Sequence, residues 1–86
     1  MKFYKFYADW CGPCKVLTAN LEKTGIEYEP INIEENEELC VAYGIRNIPV
    51  FVAVEEKDGV ENEVARFTGI KTPIAIKAWI DELKHE

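Results

Sequence analysis

Apolar and polar side chains change their spacing several times along the chain, and each change marks a predicted element. Residues Lys2–Ala8 are rich in aromatic side chains, which favour extended backbone, and they predict a first strand. From Gly12 onward the apolar positions recur at helical spacing, at Cys14, Leu17 and Leu21. Thr24 and Gly25 then form a stop signal, so a helix is predicted from Gly12 to this pair.

The middle of the chain predicts two further strands with a short helix between them. Glu27–Ile33 alternates apolar and polar residues, which indicates the second strand. Asn36 is a candidate cap for a short helix that would end at Gly44. The apolar side of this helix would consist of Leu39, Cys40 and Tyr43. Ile48–Val54 is a short apolar run rich in β-branched residues, and we expect it to be a strand buried on both faces.

The last third of the chain predicts a hairpin and a final helix. A turn at Lys57–Gly59 leads into the alternating stretch Glu63–Phe67, so two neighbouring strands should pair antiparallel. Thr72 is suited to be an N-cap, and Pro73 is suited to the first helical position. Apolar residues then continue at helical spacing through Ile76, Trp79, Ile80 and Leu83.

The order of elements is therefore β-α-β-α-β-β-α, which predicts an α/β fold. We expect a mixed four-stranded sheet with helices on both faces, whose first two strands are parallel and joined by a right-handed crossover. At 86 residues the chain is long enough for one hydrophobic core and too short for two, so residues 1–86 are expected to form a single domain.

Composition and charge narrow the function classes. Ten basic and sixteen acidic residues give a net charge of −6, which repels nucleic acid and anionic lipid, so neither is an expected partner. The apolar run Ile48–Val54 is far shorter than the ~20 residues that span a bilayer. The first ten residues contain Lys5 and Asp9 and show no cleavage site, so we expect no secretory signal and a cytoplasmic location. Three cysteines, an odd number, argue against a disulfide scaffold.

The thiol pair in "WCGPC", Cys11 and Cys14, carries the candidate chemistry. Cys11 falls where the first strand ends and the helix begins, so its sulfur should face unpaired backbone N–H groups that lower the thiol pKa. Pro13 suits the first helical turn, and Gly12 allows a substrate to approach closely. We expect Cys11 to be exposed and to attack a substrate disulfide, and a shielded Cys14 to resolve the mixed disulfide.

Two other interpretations of the pair are weaker. A purely structural disulfide is unusual across so short a loop in a reducing compartment. A zinc site would need two further ligands, for which the sequence offers only Cys40 and His85, without paired spacing. We expect Cys40 to be core packing and His85 to be a solvated residue near the end of the chain. The acidic run Glu34–Glu38 is interpreted as a solvated helix start.

At three places the chain resembles the thioredoxin family. "ADWCGPCK" (residues 8–15) matches its active-site motif, "YGIRNIPVF" (43–51) resembles its second landmark, and the glycine of "TGIK" (68–71) is a weaker third match. The resemblance implies a protein disulfide reductase that cycles Cys11 and Cys14 between dithiol and disulfide, needs no cofactor and acts as a monomer. It also implies that Pro49 is cis and that an apolar docking surface surrounds Cys11. That surface would comprise Trp10, Gly12, Pro13, Ile48, Pro49, Gly69 and Ile70.

The chain also departs from the family pattern. It is the size of a glutaredoxin, without the strand and helix that precede the motif in full-length thioredoxins. Lys5 stands where the family usually has a buried aspartate, and Pro30 stands where the partner lysine is usual. We expect Lys5, Tyr7, Asp9 and Lys15 to modulate the thiols. One hypothesis places Lys5 under the site, favouring the Cys14 thiolate; the alternative extends its amine to solvent.

Three functions follow for comparison. The leading one is reduction of protein disulfides, with electrons from a thioredoxin-reductase-type enzyme. A second is a glutathione-linked, glutaredoxin-like reductase, which the short architecture favours and Trp10 with the Gly-Pro pair disfavours. A third is a thioredoxin-like binding subunit that uses the apolar surface without redox turnover.

Overall fold

The computed structural model describes residues 1–84 and shows four strands and three helices in the predicted order. The strands are β1 (Lys2–Tyr7), β2 (Glu29–Asn32), β3 (Val50–Lys57) and β4 (Val60–Thr68), and the helices are α1 (Gly12–Thr24), α2 (Glu37–Ala42) and α3 (Pro73–Lys84). Within residues 1–84, none of the helices is long and apolar enough to cross a membrane.

The sheet has the order β2-β1-β3-β4 and is mixed, as predicted. β1 runs parallel to β2 and antiparallel to β3, and β3 and β4 form the expected antiparallel hairpin. Asp58 and Gly59 both have positive φ at the turn, +55° and +80°, which matches the twist of a tight hairpin. β2 is shorter than predicted, and its Pro30 is tolerated because β2 is an edge strand.

Helices cover both faces of the sheet, as predicted. α1 and α3 pack on one face, where Leu17, Leu21, Ile76 and Ile80 meet the side chains of Phe3, Phe51 and Phe67. On the other face, α2 contributes partly buried Leu39 and Cys40 against Phe6, Val50 and Val52. β3 is therefore buried on both faces from Val50 to Val54, although it begins two residues later than predicted and continues to Lys57.

The helix boundaries confirm one predicted cap and correct another. Thr72 Oγ1 accepts a hydrogen bond from the Ala75 N–H at 3.2 Å and caps α3. Asn36 precedes α2 as predicted, but it makes no side-chain cap. Its amide instead donates to the Asn32 carbonyl at 2.9 Å, so this side chain closes the loop after β2.

Candidate active site

The Cys11–Cys14 pair lies where β1 gives way to α1, as the sequence predicts. Cys11 is the N-cap of α1 with extended backbone, and its Sγ accepts a hydrogen bond from the Cys14 N–H at 3.1 Å. Pro13 lies in the first turn, where its missing N–H leaves no partner unpaired. The two cysteines are joined by a disulfide, with their Cα atoms 5.3 Å apart. The sulfur of Cys11 therefore does accept a hydrogen bond from a backbone amide at the positive end of the helix dipole.

The predicted difference in exposure between the two cysteines is wrong for this disulfide form. Cys11 is 4% exposed and Cys14 is 2% exposed. Both pack with Ala8 in a small cluster against which Tyr7, Ile33 and Ile48 also lie. The neighbours of Cys11 along the chain are nevertheless exposed: Trp10 is 66% exposed, and Gly12 and Pro13 are also open to solvent. The disulfide is thus a buried bond just beneath a surface of exposed residues.

Two distant segments meet beside this disulfide. The Ile48–Pro49 peptide bond is cis, as the family resemblance implies. The Gly69 N–H donates to the Pro49 carbonyl at 2.8 Å, and Gly69 has φ +89°, a conformation that favours glycine. This bond holds the loop after β4 against the start of β3. Ile70, next to it, is exposed like Trp10, so the alternative that these two residues are core is wrong.

Comparisons with known proteins agree with this geometry. A family model described as Thioredoxin matches residues 3–82. This chain belongs to the thioredoxin family. Thioredoxin-T of Drosophila melanogaster is 39% identical over 56 residues, which cover 58% of this chain and 36% of that protein. A thioredoxin of Chlamydia pneumoniae is 42% identical over 71 residues, covering 77% of this chain and 66% of that protein.

A solved structure shows the same fold. A mutant thioredoxin from Halobacterium salinarum matches with a TM-score of 0.79 and 32% identity, over 98% of this chain and 74% of that one. This chain spans only about one third to two thirds of the length of the two curated relatives above. The family and the fold are therefore established.

A groove runs from the thioredoxin motif toward α2. It has a volume of about 350 Å³ and begins at Trp10 and Ile48. Its remaining lining includes Ile33, Cys40, Val41, Ile45 and Arg46. Sequence reasoning did not assign Ile33 or Ile45 to the site. Their positions in the sequence could have indicated that they belong to the site, because Ile33 directly follows β2 and Ile45 lies three residues before Ile48.

Lys5 is the buried charged residue of this site. It is 5% exposed, so the alternative that places its amine in solvent is wrong. Its Nζ bonds to Thr18 Oγ1 and lies 5.1 Å from the centre of the Tyr7 ring and 5.3 Å from that of Tyr28. Burial lowers the pKa of Lys5, while the charge of Glu22 raises it. Lys5 pairs in register with Pro30, which offers it no charge.

The other residues expected to modulate the thiols lie next to Lys5. Tyr7, Asp9 and Lys15 line a small cavity of about 160 Å³ together with Lys5, Ala8, Cys14 and Thr18. Tyr7 is half-buried, and Asp9 and Lys15 are exposed at its rim. Their effect on the thiols remains a prediction.

The zinc interpretation gains no support in residues 1–84, where no three potential ligands are grouped. Cys40 packs on the α2 side of the core, and its Sγ lies 3.9 Å from the Ile33 carbonyl. Burial raises the pKa of the Cys40 thiol, and Glu37 adds to this effect. His85, the other suggested ligand, lies outside the described residues.

Proposed function

We propose that this chain is a thiol–disulfide oxidoreductase that reduces protein disulfides. The observation that carries the proposal is a disulfide between Cys11 and Cys14 at the start of α1, beside the cis Pro49 and beneath exposed apolar residues. Membership of the thioredoxin family supports it. A buried disulfide of only four residues serves poorly as a scaffold, because constraining so short a loop removes little chain entropy from the unfolded state.

The reaction would proceed through a mixed disulfide. The Cys11 thiolate attacks one sulfur of a substrate disulfide, and the other substrate sulfur leaves as a thiolate and is protonated. Cys14, deprotonated, then attacks Cys11, which closes the Cys11–Cys14 disulfide and releases the second substrate thiol. The substrate gains two electrons and the dithiol loses two. The Cys14 N–H, which already bonds Cys11 Sγ, favours Cys11 as the anion that attacks the substrate.

The exposed residues around the disulfide are the proposed docking surface for the substrate. Trp10, Gly12, Pro13 and Ile70 are exposed, and Ile48 packs against the cysteine cluster. Pro49 and Gly69, joined by their backbone hydrogen bond, hold this surface together. An extended segment of substrate laid beside Ile48 would bring its disulfide over Cys11 and bury apolar area.

The assignment of roles is tested by trapping. A Cys14→Ser variant should accumulate a mixed disulfide between Cys11 and insulin. In the wild type, Cys14 resolves this adduct by intramolecular attack with an effective molarity of ~10⁵ M or more, and in the variant only slower attack by thiols in solution remains. A Cys11→Ser variant should accumulate none at position 14. Mass spectrometry of the digested adduct identifies the sulfur that carries the substrate. An adduct mainly on Cys14 in the Cys11→Ser variant, with none on Cys11 in the other, would overturn the proposal.

We further propose that the electrons come from a thioredoxin-reductase-type enzyme. The oxidised protein, incubated separately with such a reductase plus NADPH and with glutathione, should be reduced rapidly only in the first mixture. Rapid reduction by glutathione alone would instead assign the chain to the glutathione-linked class. Full biological activity in a Cys11→Ser, Cys14→Ser double variant would support the binding-subunit alternative. The cytoplasmic location and the monomeric state remain predictions.

A further inference from the structure

Lys5 is the one charged side chain in the buried core of residues 1–84, and nothing in the proposed cycle accounts for it. Burying an ammonium group costs several kcal/mol unless other groups compensate. The two ion pairs in the described part of the chain, Lys2–Glu61 and Glu63–Arg66, do not include it. The compensation comes from the Thr18 hydroxyl and from the faces of two tyrosine rings, all of which favour the cationic form.

A short hydrogen-bond chain connects Lys5 to the backbone carbonyl of Cys14. The Thr18 hydroxyl donates its proton to the Cys14 carbonyl at 3.0 Å. The lone pairs of that hydroxyl are then free to accept, so Lys5 Nζ is the donor in the bond between them. Lys5 and Cys14 also line the same small cavity of about 160 Å³. The ammonium is therefore held against α1 by Thr18, at a cavity that Cys14 also lines.

The titratable groups around Lys5 and this cavity come from three parts of the fold. β1 and the loop after it contribute Tyr7 and Asp9, α1 contributes Cys14, Lys15 and Glu22, and the segment before β2 contributes Tyr28. Asp9, Lys15 and Glu22 are exposed, so water screens their charges. Burial raises the pKa of Tyr28, which keeps that phenol neutral at pH 7. Lys5 is thus the one buried charge among the groups that line the cavity with Cys14.

We propose that Lys5 is a positioning residue that stabilises the thiolate of Cys14 in the reduced protein and in the mixed disulfide. The inference rests on the proposed function. In the mixed disulfide, Cys14 loses its proton to water, and the ammonium in the cavity that both residues line favours the resulting thiolate. The thiolate attacks Cys11 Sγ, the bond between Cys11 and the substrate breaks, and the departing substrate thiolate takes a proton from water. Lys5 stays protonated throughout and exchanges no proton.

The size of the effect follows from general charge interactions. An opposite charge within ~4–6 Å of an acid lowers its pKa by about 1 to 3 units, and we take the lower value because Lys5 shares a cavity with Cys14 but is bonded to Thr18 and not to the sulfur. A one-unit rise in the pKa of Cys14 on loss of the ammonium would reduce its thiolate about tenfold at neutral pH. A more basic thiolate is about threefold more nucleophilic at β ~0.45, so release of the substrate would slow about 3- to 4-fold.

The test is a titration of the two cysteines in the reduced protein, followed by the ¹³C shift of their labelled Cβ atoms. The Lys5→Met variant replaces the ammonium with an apolar side chain of similar length. The matched control is Lys2→Met, which removes the same charge from the same strand at an exposed position far along β1. We expect the pKa of Cys14 to rise by about one unit in Lys5→Met and to stay at the wild-type value in Lys2→Met. Superimposable curves for all three proteins would overturn the proposal.

A second variant keeps the proposal testable if Lys5→Met does not fold. Thr18→Val has nearly the same shape as the wild type but lacks the hydroxyl that holds the ammonium beside Cys14. A rise in the pKa of Cys14 in this variant supports the proposal, and an unchanged pKa counts against it. The titration needs no substrate. Wild-type protein that fails to reduce insulin would refute the proposed function alone, and unchanged titration curves in an active protein would refute the role of Lys5 alone.

Discussion

The packing of α1 on the sheet fixes where the two cysteines lie, and a substitution at Leu17 tests that packing. Leu17 is 0% exposed and lies three residues after Cys14 on the same face of α1, among Phe3, Phe51 and Ile76. Leu17→Ala removes three carbon atoms, worth about 2.4 kcal/mol at ~0.8 kcal/mol each. Its neighbours include rigid aromatic rings that cannot close the cavity, so we expect a total loss of about 3 to 4 kcal/mol.

Urea unfolding followed by circular dichroism measures this loss, and the adjacent residue supplies the control. Val16 lies on the outer face of the same helix and is 47% exposed, so Val16→Ala should change the free energy of unfolding by less than about 0.5 kcal/mol. A domain of this size has a total free energy of unfolding of about 4 to 13 kcal/mol, so the loss in Leu17→Ala is a large share of it. Equal losses at positions 16 and 17 would refute the packing described here.

Three further predictions concern other parts of the chain. The Tyr4 hydroxyl lies 2.7 and 2.8 Å from the two carboxylate oxygens of Glu61 and donates its one proton to this carboxylate, and the bond is the largest cause of the lowered pKa of Glu61. This bond stabilises the fold fully above the ordinary pKa of a glutamate, and the stabilisation is lost as pH falls through the lowered pKa of Glu61. In Tyr4→Phe, the free energy of unfolding should therefore depend less steeply on pH below about 4.5. Gly25 ends α1 with φ +71° and open space around it, so Gly25→Ala should cost about 1 kcal/mol and Gly25→Asn less, in thermal unfolding. Because burial raises the pKa of Cys40, this thiol should react with iodoacetamide at pH 7 more slowly than free cysteine, and faster labelling in a timed mass-spectrometric assay would contradict the stated burial.

Local patterns predicted the elements well where the signal lay within one stretch of sequence. The spacing of Cys14, Leu17 and Leu21 placed α1 with its observed bounds, and the turn at Lys57–Gly59 gave the hairpin. Element ends set by distant partners were less predictable. β2 stops where its pairing with β1 stops, and β4 extends beyond the alternating stretch because β3 continues beside it.

The sequence predicted which residues form the candidate site, but it did not predict how far Cys11 is exposed to solvent. The motif placed Cys11 at the start of α1, but its burial depends on Ala8, Ile33 and Ile48, which reach it from three other segments. The position of Lys5 is a similar case. The aromatic residues of β1 indicate a strand, but they do not show where the amine of Lys5 lies. Whether an inward lysine reaches solvent depends on the Thr18 hydroxyl and the Tyr28 ring, which the fold brings to it from α1 and from the segment before β2.

The sign of the charge beneath Cys14 determines how the second half of the proposed cycle works. A carboxylate at that position repels a neighbouring thiolate, so it assists the attack on Cys11 only by taking the proton from Cys14 as the attack occurs. An ammonium cannot take that proton, but it makes the thiolate of Cys14 more populated beforehand. With Lys5 in place, the proton should therefore leave before the sulfur attacks. The rate of substrate release should then follow the titration of Cys14, without the solvent isotope effect that concerted proton transfer would produce.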